Sequence, residues 1–105
     1  MKKWKQLEYY IAEKLKFLDS KSRPTKASGA STEIGDLYNR YFLVDAKQRT
    51  TKNITINIKT WEKLKSRLPI DSKRIPFLAL ENKDRKRFIV LESEDFFNIL
   101  QNWEH

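Results

Sequence analysis

Asp36, Asp45 and Lys47 have the residue types and spacing for chemistry on a phosphate ester. They lie in the stretch GDLYNRYFLVDAKQ, residues 35 to 48, where one acid stands at the head and acid-Ala-Lys ends an apolar run. On a strand, residues two apart project to the same face, so Asp45 and Lys47 stand side by side. Phe42, Val44 and Ala46 then take the opposite face and can cover a helix. If 36 to 47 form a hairpin, Asp36 comes near Asp45. Two carboxylates, with waters and phosphate oxygens, suit the octahedral shell of Mg²⁺. Such an ion polarises a phosphoryl oxygen and lowers the pKa of a bound water. Lys47 would orient or deprotonate that water, or stabilise charge in the transition state. The competing reading is a salt bridge at a strand end.

The tripeptide acid-x-Lys alone has little meaning in this chain. It also occurs as Asp19-Ser-Lys21, Asp71-Ser-Lys73, Glu81-Asn-Lys83 and Asp84-Arg-Lys86. Those four fall in polar segments or turns and read as solvated pairs. Asp45-Ala-Lys47 is set apart by the apolar run it ends. The first helix adds a candidate. Trp4, Leu7, Ile11, Leu15 and Leu18 recur at spacings of three and four, and at about 100° per residue Glu8 falls about 40° from Trp4. A carboxylate beside a core-facing stripe needs a partner or a metal. Glu8 therefore joins the candidate site, with a rim carboxylate paired to a lysine as the competing reading. Glu13 points to the opposite face as a solvated charge.

The elements that must position these groups follow from periodicity and turn chemistry. Residues 3 to 18 read as an amphipathic helix. Residues 19 to 35 are polar, contain both glycines and read as a basic loop with room for a short strand. Residues 36 to 47 read as a hairpin turning near Asn39-Arg40. NITINIK, from Asn53, alternates isoleucines with polar residues as a half-buried extended segment. Thr60 is placed to cap a helix starting at Trp61 and closed by Pro69. FLAL and RFIVL read as central strands covered on both faces. Ser93 is placed to cap a final helix whose Phe96, Ile99, Leu100 and Trp103 face inward. The predicted fold is α/β, a mixed central sheet flanked by helices in the order α-β-β-α-β-β-α.

The 105 residues suffice for one domain, 1–105, and 39% hydrophobic content excludes a disordered chain. The chain has no cysteine, and His105 is its one histidine. Thiolate metal sites and disulfides are excluded, and zinc, Ser-His or Cys-His chemistry has almost no material. Twenty-two Lys and Arg against fourteen Asp and Glu give a net charge of +8. That favours a polyanionic partner over a merely solvated lysine-rich surface. No apolar run is long enough to span a membrane, and MKKWKQLEYY lacks the apolar core of a signal peptide. A soluble, cytoplasmic protein is expected.

With Glu8, ASGAS, GDL and LVDAK in this order, the chain resembles the PD-(D/E)xK nucleases, and within them the small archaeal and phage-type Holliday junction resolvases. That family has a helix with an early glutamate, a Ser/Gly-rich loop, an aspartate on a first strand and acid-x-Lys on the next. A helix, a strand opened by Ile-Pro and another strand follow. The matching features here are Glu8, Ala27 to Ser31, Asp36, Asp45 with Lys47, the helix from Trp61, RIPFLAL and RFIVL, over residues 7 to about 92. Two departures are visible: Asp45 stands where glutamate is frequent, and Gly35 precedes Asp36 where many members have proline. Gln48 occupies a position that some branches use in the site.

The resemblance implies a restriction-endonuclease-like core and DNA phosphodiester hydrolysis that depends on Mg²⁺, with Mn²⁺ as a substitute. It assigns catalysis to Asp36, Asp45, Lys47 and Glu8, with the metal held by the three acids. It further implies a homodimer making symmetric nicks across a four-way junction, in the host cytoplasm if phage-encoded. Lys21, Arg23, Lys26, Arg49 and Lys52 are the candidate phosphate contacts, with Ser28, Ser31 and Thr32 adding hydroxyls. Phe96, Phe97 and Trp103 exceed what one small sheet requires, and they read as dimer interface or as core. The alternatives are a related nuclease acting on other branched or linear DNA, a non-catalytic basic module that binds nucleic acid, and a protein-interaction domain.

Overall fold

A computed structural model describes residues 6–25 and 35–102. Trp4, Lys26, Ser28, Ser31, Thr32 and Trp103, together with most of the Ser/Gly-rich loop, lie outside the described residues.

The structure is mixed α/β, built on one five-stranded sheet. Its strands are β1 (Arg23–Pro24), β2 (Leu37–Tyr38), β3 (Phe42–Gln48), β4 (Ile75–Glu81) and β5 (Arg87–Val90), in that spatial order. All neighbours are antiparallel except β3 and β4, which run parallel in register from Phe42↔Ile75 to Gln48↔Glu81. The parallel pair requires a crossover, supplied by helix α2 (Ile58–Ser66). Helices α1 (Gln6–Leu15) and α3 (Ser93–Gln101) complete the fold.

Alternation along β3 and β4 divides the core. On one face Val44, Phe77 and Ala79 pack with Leu37 and with Leu7 and Ile11 of α1, and Phe42 and Ala46 join the rim. On the other, Leu43, Leu78 and Leu80 pack with Trp61 and Leu64 of α2. Each fully buried side chain of this kind contributes about 1.5–3 kcal/mol.

The hairpin of β2 and β3 turns at Asn39-Arg40, where a buried polar latch holds it to the segment after α1. Asn39 is fully buried. Its Nδ2 donates to Ser22 Oγ, and its Oδ1 accepts the backbone N–H groups of Tyr41 and Phe42. Asp19 accepts from the backbone of Lys21 and Arg40. Asp19 is therefore a buried structural group, not a solvated partner of Lys21, and the Arg40 N–H foremost keeps its carboxyl below the usual carboxylate range.

Several boundaries differ from the sequence reading, each for a local reason. The first helix ends at Leu15, where the Leu18 and Asp19 N–H groups turn back onto the Leu15 carbonyl, leaving Leu18 exposed. NITINIK forms no strand: β2 and β4 already flank β3, and Asn57 accepts the Lys59 N–H and starts α2 at Ile58. Thr60 is thus inside the helix. Strand β5 is an edge rather than a central strand, with Phe88 and Ile89 each 48% exposed. Ser93 is the first residue of α3 and not its cap. Glu92 holds the cap position without a capping bond, because its carboxylate accepts from Trp61 Nε1 and Lys65 Nζ, both at 2.8 Å. The α3 residues do not form core as expected: Phe96, Phe97 and Leu100 are exposed, and Ile99 is half-buried.

Replacing Asn39 by Ala takes the acceptor from two backbone N–H groups and a donor from Ser22 Oγ, which keeps its own bond to the Asp19 carbonyl. We expect Asn39→Ala to lose about 2–3 kcal/mol of stability, read as a lower urea midpoint at unchanged slope. A variant with the wild-type midpoint would show that the latch carries no weight.

Candidate active site

The antiparallel register Leu37↔Val44 puts Asp36 across from Asp45. The preceding residue explains how Asp36 gets there. Gly35 has φ +78°, and a Cβ on it would lie 2.8 Å from both the Leu43 side chain and the Val44 carbonyl oxygen. Proline, whose φ is fixed near −65°, cannot adopt this conformation. The Asp36 N–H then donates to the Val44 carbonyl at 2.8 Å, and Thr25 closes the other side by donating to the carbonyl oxygens of Gly35 and Asp36.

Asp36 Oδ2 accepts the backbone N–H of Ala46 at 2.7 Å. Its carboxyl also shares a hydrogen bond with that of Asp45. Asp45 is buried, on the α2 side of the sheet, and Lys47 Nζ lies 3.5 Å from its Oδ2. Ala46, between them, packs toward α1. The i, i+2 alternation thus brings Asp45 and Lys47 together on one face. Glu8 sits half-buried on α1, and its charge adds to the field at Asp36, whereas Glu13 is exposed and pairs with Lys16.

Burial pushes the Asp36 carboxyl up to about 7; the bond to Asp45 and the negative charges of Asp45 and Glu8 push the same way, against the Ala46 N–H. Two carboxyl groups in contact, one holding a proton near neutrality, form a donor set that fits a hard divalent cation. Among the described residues no three potential ligands form a ready metal cluster. A cation held by Asp36 and Asp45 would therefore complete its shell with water and substrate oxygens, with Glu8 acting at longer range.

The candidate phosphate contacts are dispersed. Lys21 and Arg23 are exposed near β1, where the Arg23 guanidinium lies 5.5 Å over the Tyr38 ring, and Arg49 and Lys52 are exposed in the loop after β3. Lys26, Ser28 and Ser31 lie outside the described residues.

Glu81, read from sequence as half of a solvated pair, is 5% exposed. It accepts from Gln48 Nε2 at 2.8 Å and from Arg87 Nε at 2.7 Å. Burial raises its pKa, but these two bonds and the charges of Arg87 and Arg85 leave it below the usual range. The signal was present, because Glu81 also ends an apolar run, IPFLAL. Gln48 accordingly serves this cluster on the α1 face rather than the Asp45–Lys47 face.

No family model, curated protein or solved structure matches the chain. The assignment of function rests on the residues themselves. No helix among the described residues is long and apolar enough to cross a membrane.

The Asp36 carboxyl gives a pH dependence of definite sign. Its folded pKa of about 7 lies above the ordinary 3.8. Its contribution to stability is fully present below 3.8 and is lost as pH rises through 7. Asp36→Asn keeps an acceptor for the Ala46 N–H and removes the charge. In EDTA the variant should be more stable than wild type at pH 8, on the order of 2 kcal/mol, with the advantage vanishing toward pH 4. Thermal melts across this range check it; a variant less stable than wild type at pH 8 would mean that the two carboxylates do not repel.

Proposed function

We infer that this chain is a divalent-metal-dependent endodeoxyribonuclease with a restriction-endonuclease-like core, and that a homodimer of it resolves four-way DNA junctions by paired nicks. One observation carries the reading: Asp36 and Asp45 join their carboxyl groups across an antiparallel strand pair, with Lys47 beside them, in a chain of net charge +8. A basic module that only binds nucleic acid has no use for one carboxyl group pressed against another.

Mg²⁺ bound there would supply a polarised phosphoryl oxygen and a more acidic water. The chain's own residues do the rest. Asp36 is aimed by the Ala46 N–H and Asp45 by its buried place on β3, so both carboxylates are set before substrate arrives. Lys47 brings an ammonium group next to Asp45, where it neutralises charge accumulating on the attacked phosphate. Glu8 adds negative potential that favours a cation over a water at the site.

The dimer accounts for apolar surface that the fold leaves uncovered. Ile89, Phe96, Phe97 and Leu100 are each about half exposed on β5 and α3. At roughly 200 Å² per large side chain they offer on the order of 400 Å² per copy, half of the about 800 Å² that each partner buries in a standard interface. A two-fold axis would give two sites to a substrate of near two-fold symmetry.

Cleavage of a labelled immobile four-way junction in Mg²⁺, beside a linear duplex of the same sequence, tests this function. Asp36→Asn and Asp45→Asn should each lower the rate at least about 100-fold while junction binding survives. Full activity in either variant removes the site assignment, and equal cutting of linear duplex replaces the resolvase with a general nuclease. For the dimer, light scattering should give twice the chain mass for wild type and one chain mass for Phe97→Asp. A wild-type monomer at micromolar concentration contradicts it.

A further inference from the structure

Beyond the acidic site, two loops meet at the carboxyl ends of the central parallel strands. Residues 49–53 follow β3 and residues 82–86 join β4 to β5. Backbone bonds fasten one to the other: Arg49 N–H to the Glu81 carbonyl at 2.8 Å, and Lys83 N–H to the Thr51 carbonyl at 3.0 Å. Buried Asn82 is the pin. Its Nδ2 donates to the Lys52 carbonyl, while its Oδ1 accepts the N–H groups of Asp84 and Lys86. Arg85 sits at the tip with φ 64° and donates to Gln6 Oε1 of α1 at 2.9 Å.

This rigid frame carries charge of one sign. Arg49, Lys52, Lys83, Arg85 and Lys86 are all exposed, against Asp84 alone. None of the five takes part in a salt bridge among the described residues. Arg49, Lys83 and Arg85 border a cavity of about 600 Å³. Its polar floor is Glu81, neutralised by Arg87 and tied to Gln48. The negative charge is thus buried and paired, whereas the positive charge is turned outward on loops that cannot easily collapse. Side chains on a pre-ordered backbone lose less freedom on binding than those on a mobile loop.

We propose that the paired loops 49–53 and 82–86 form a phosphate clamp that grips the sugar–phosphate backbone of DNA at the carboxyl end of the sheet. The identity of the polyanion rests on the nuclease reading; the clamp itself rests on the loops. The cavity opens on the α1 face, whereas Asp45 and Lys47 lie on the α2 face, so the clamp would hold a stretch of backbone that passes over the end of the sheet, away from the bond to be cut. Contacts of this kind fix position without reading sequence.

The test measures binding of a fluorescent four-way junction in EDTA, where nothing is cut, across a salt titration. Each lost phosphate contact takes about 0.9 from the slope of log K against log salt. Lys83→Ala/Arg85→Ala should weaken binding about tenfold or more and flatten the slope by about 1.8. Lys83→Ala alone, whose side chain makes no hydrogen bond among the described residues, should flatten it by about 0.9 with an unchanged melting temperature. Arg67→Ala/Lys73→Ala, an equal loss of charge from the segment leading into the opposite end of β4, should leave affinity and slope close to wild type. Wild-type slope in the Lys83 variants, or equal loss in the Arg67/Lys73 control, overturns the clamp whether or not the protein cuts DNA. A wild-type protein that binds through these residues yet cleaves nothing in Mg²⁺ overturns the nuclease reading and leaves the clamp standing. Absence of any DNA binding at low salt removes both.

Discussion

Seven parallel pairs between β3 and β4 hold this molecule together, and the alternation of side chains along them decides where everything else goes. Val44, Phe77 and Ala79 turn toward α1, while Leu43, Leu78 and Leu80 turn toward α2. A slip of one residue in β3 would exchange its two sets, sending Leu43, Asp45 and Lys47 to the α1 face and Val44 and Gln48 to the α2 face. Asp45 belongs to the same strand, so core packing and the position of the acidic group are a single choice. The balance of magnitudes favours this arrangement. Several buried Leu, Val and Phe side chains at about 1.5–3 kcal/mol each outweigh a repulsion between two carboxyl groups that protonation already softens.

The acids of this basic chain are answered in different ways, and the differences mark the site. Asp19 is met by backbone N–H groups and closes a turn. Glu81 is met by a guanidinium and an amide and anchors two strands. Glu92 is met by an indole and an ammonium and joins α2 to the start of α3. Asp36 is met by another carboxyl as well as by one N–H. Three of the four are stabilised as anions by their surroundings. The fourth is held as an acid.

Much of this could be read from the chain. Strand alternation placed Asp45 and Lys47 on one face, helical phase separated Glu8 from Glu13, and the hairpin of Asp36 with Asp45 followed from apolar runs around a polar turn. What escaped reading was long-range competition. NITINIK has the pattern of a strand, but no edge of β3 or β4 is open to it, and Asn57 caps a helix first. RFIVL has the pattern of a central strand, but it falls at the sheet margin. Glu81 looked solvated because Arg87, which pairs with it, is six residues away across a turn. The roles of Asn39 and Ser22 depend on a contact between segments seventeen residues apart, which no local spacing reveals.

The two margins of the sheet are not equivalent. Among the described residues, one margin is β1, two residues long and ending in Pro24, which has no N–H to offer and cannot sustain a ladder. The other is β5, four residues without proline and apolar at its centre. The sheet is therefore a template closed at one end and open at the other. If it grows by annexing an extended segment, it grows past β5, next to the uncovered aromatic rings of α3 and within a few residues of the basic turn 82–86. Self-association and contact with a polyanion would then act on neighbouring parts of a single hairpin, and occupancy of one would be felt by the other.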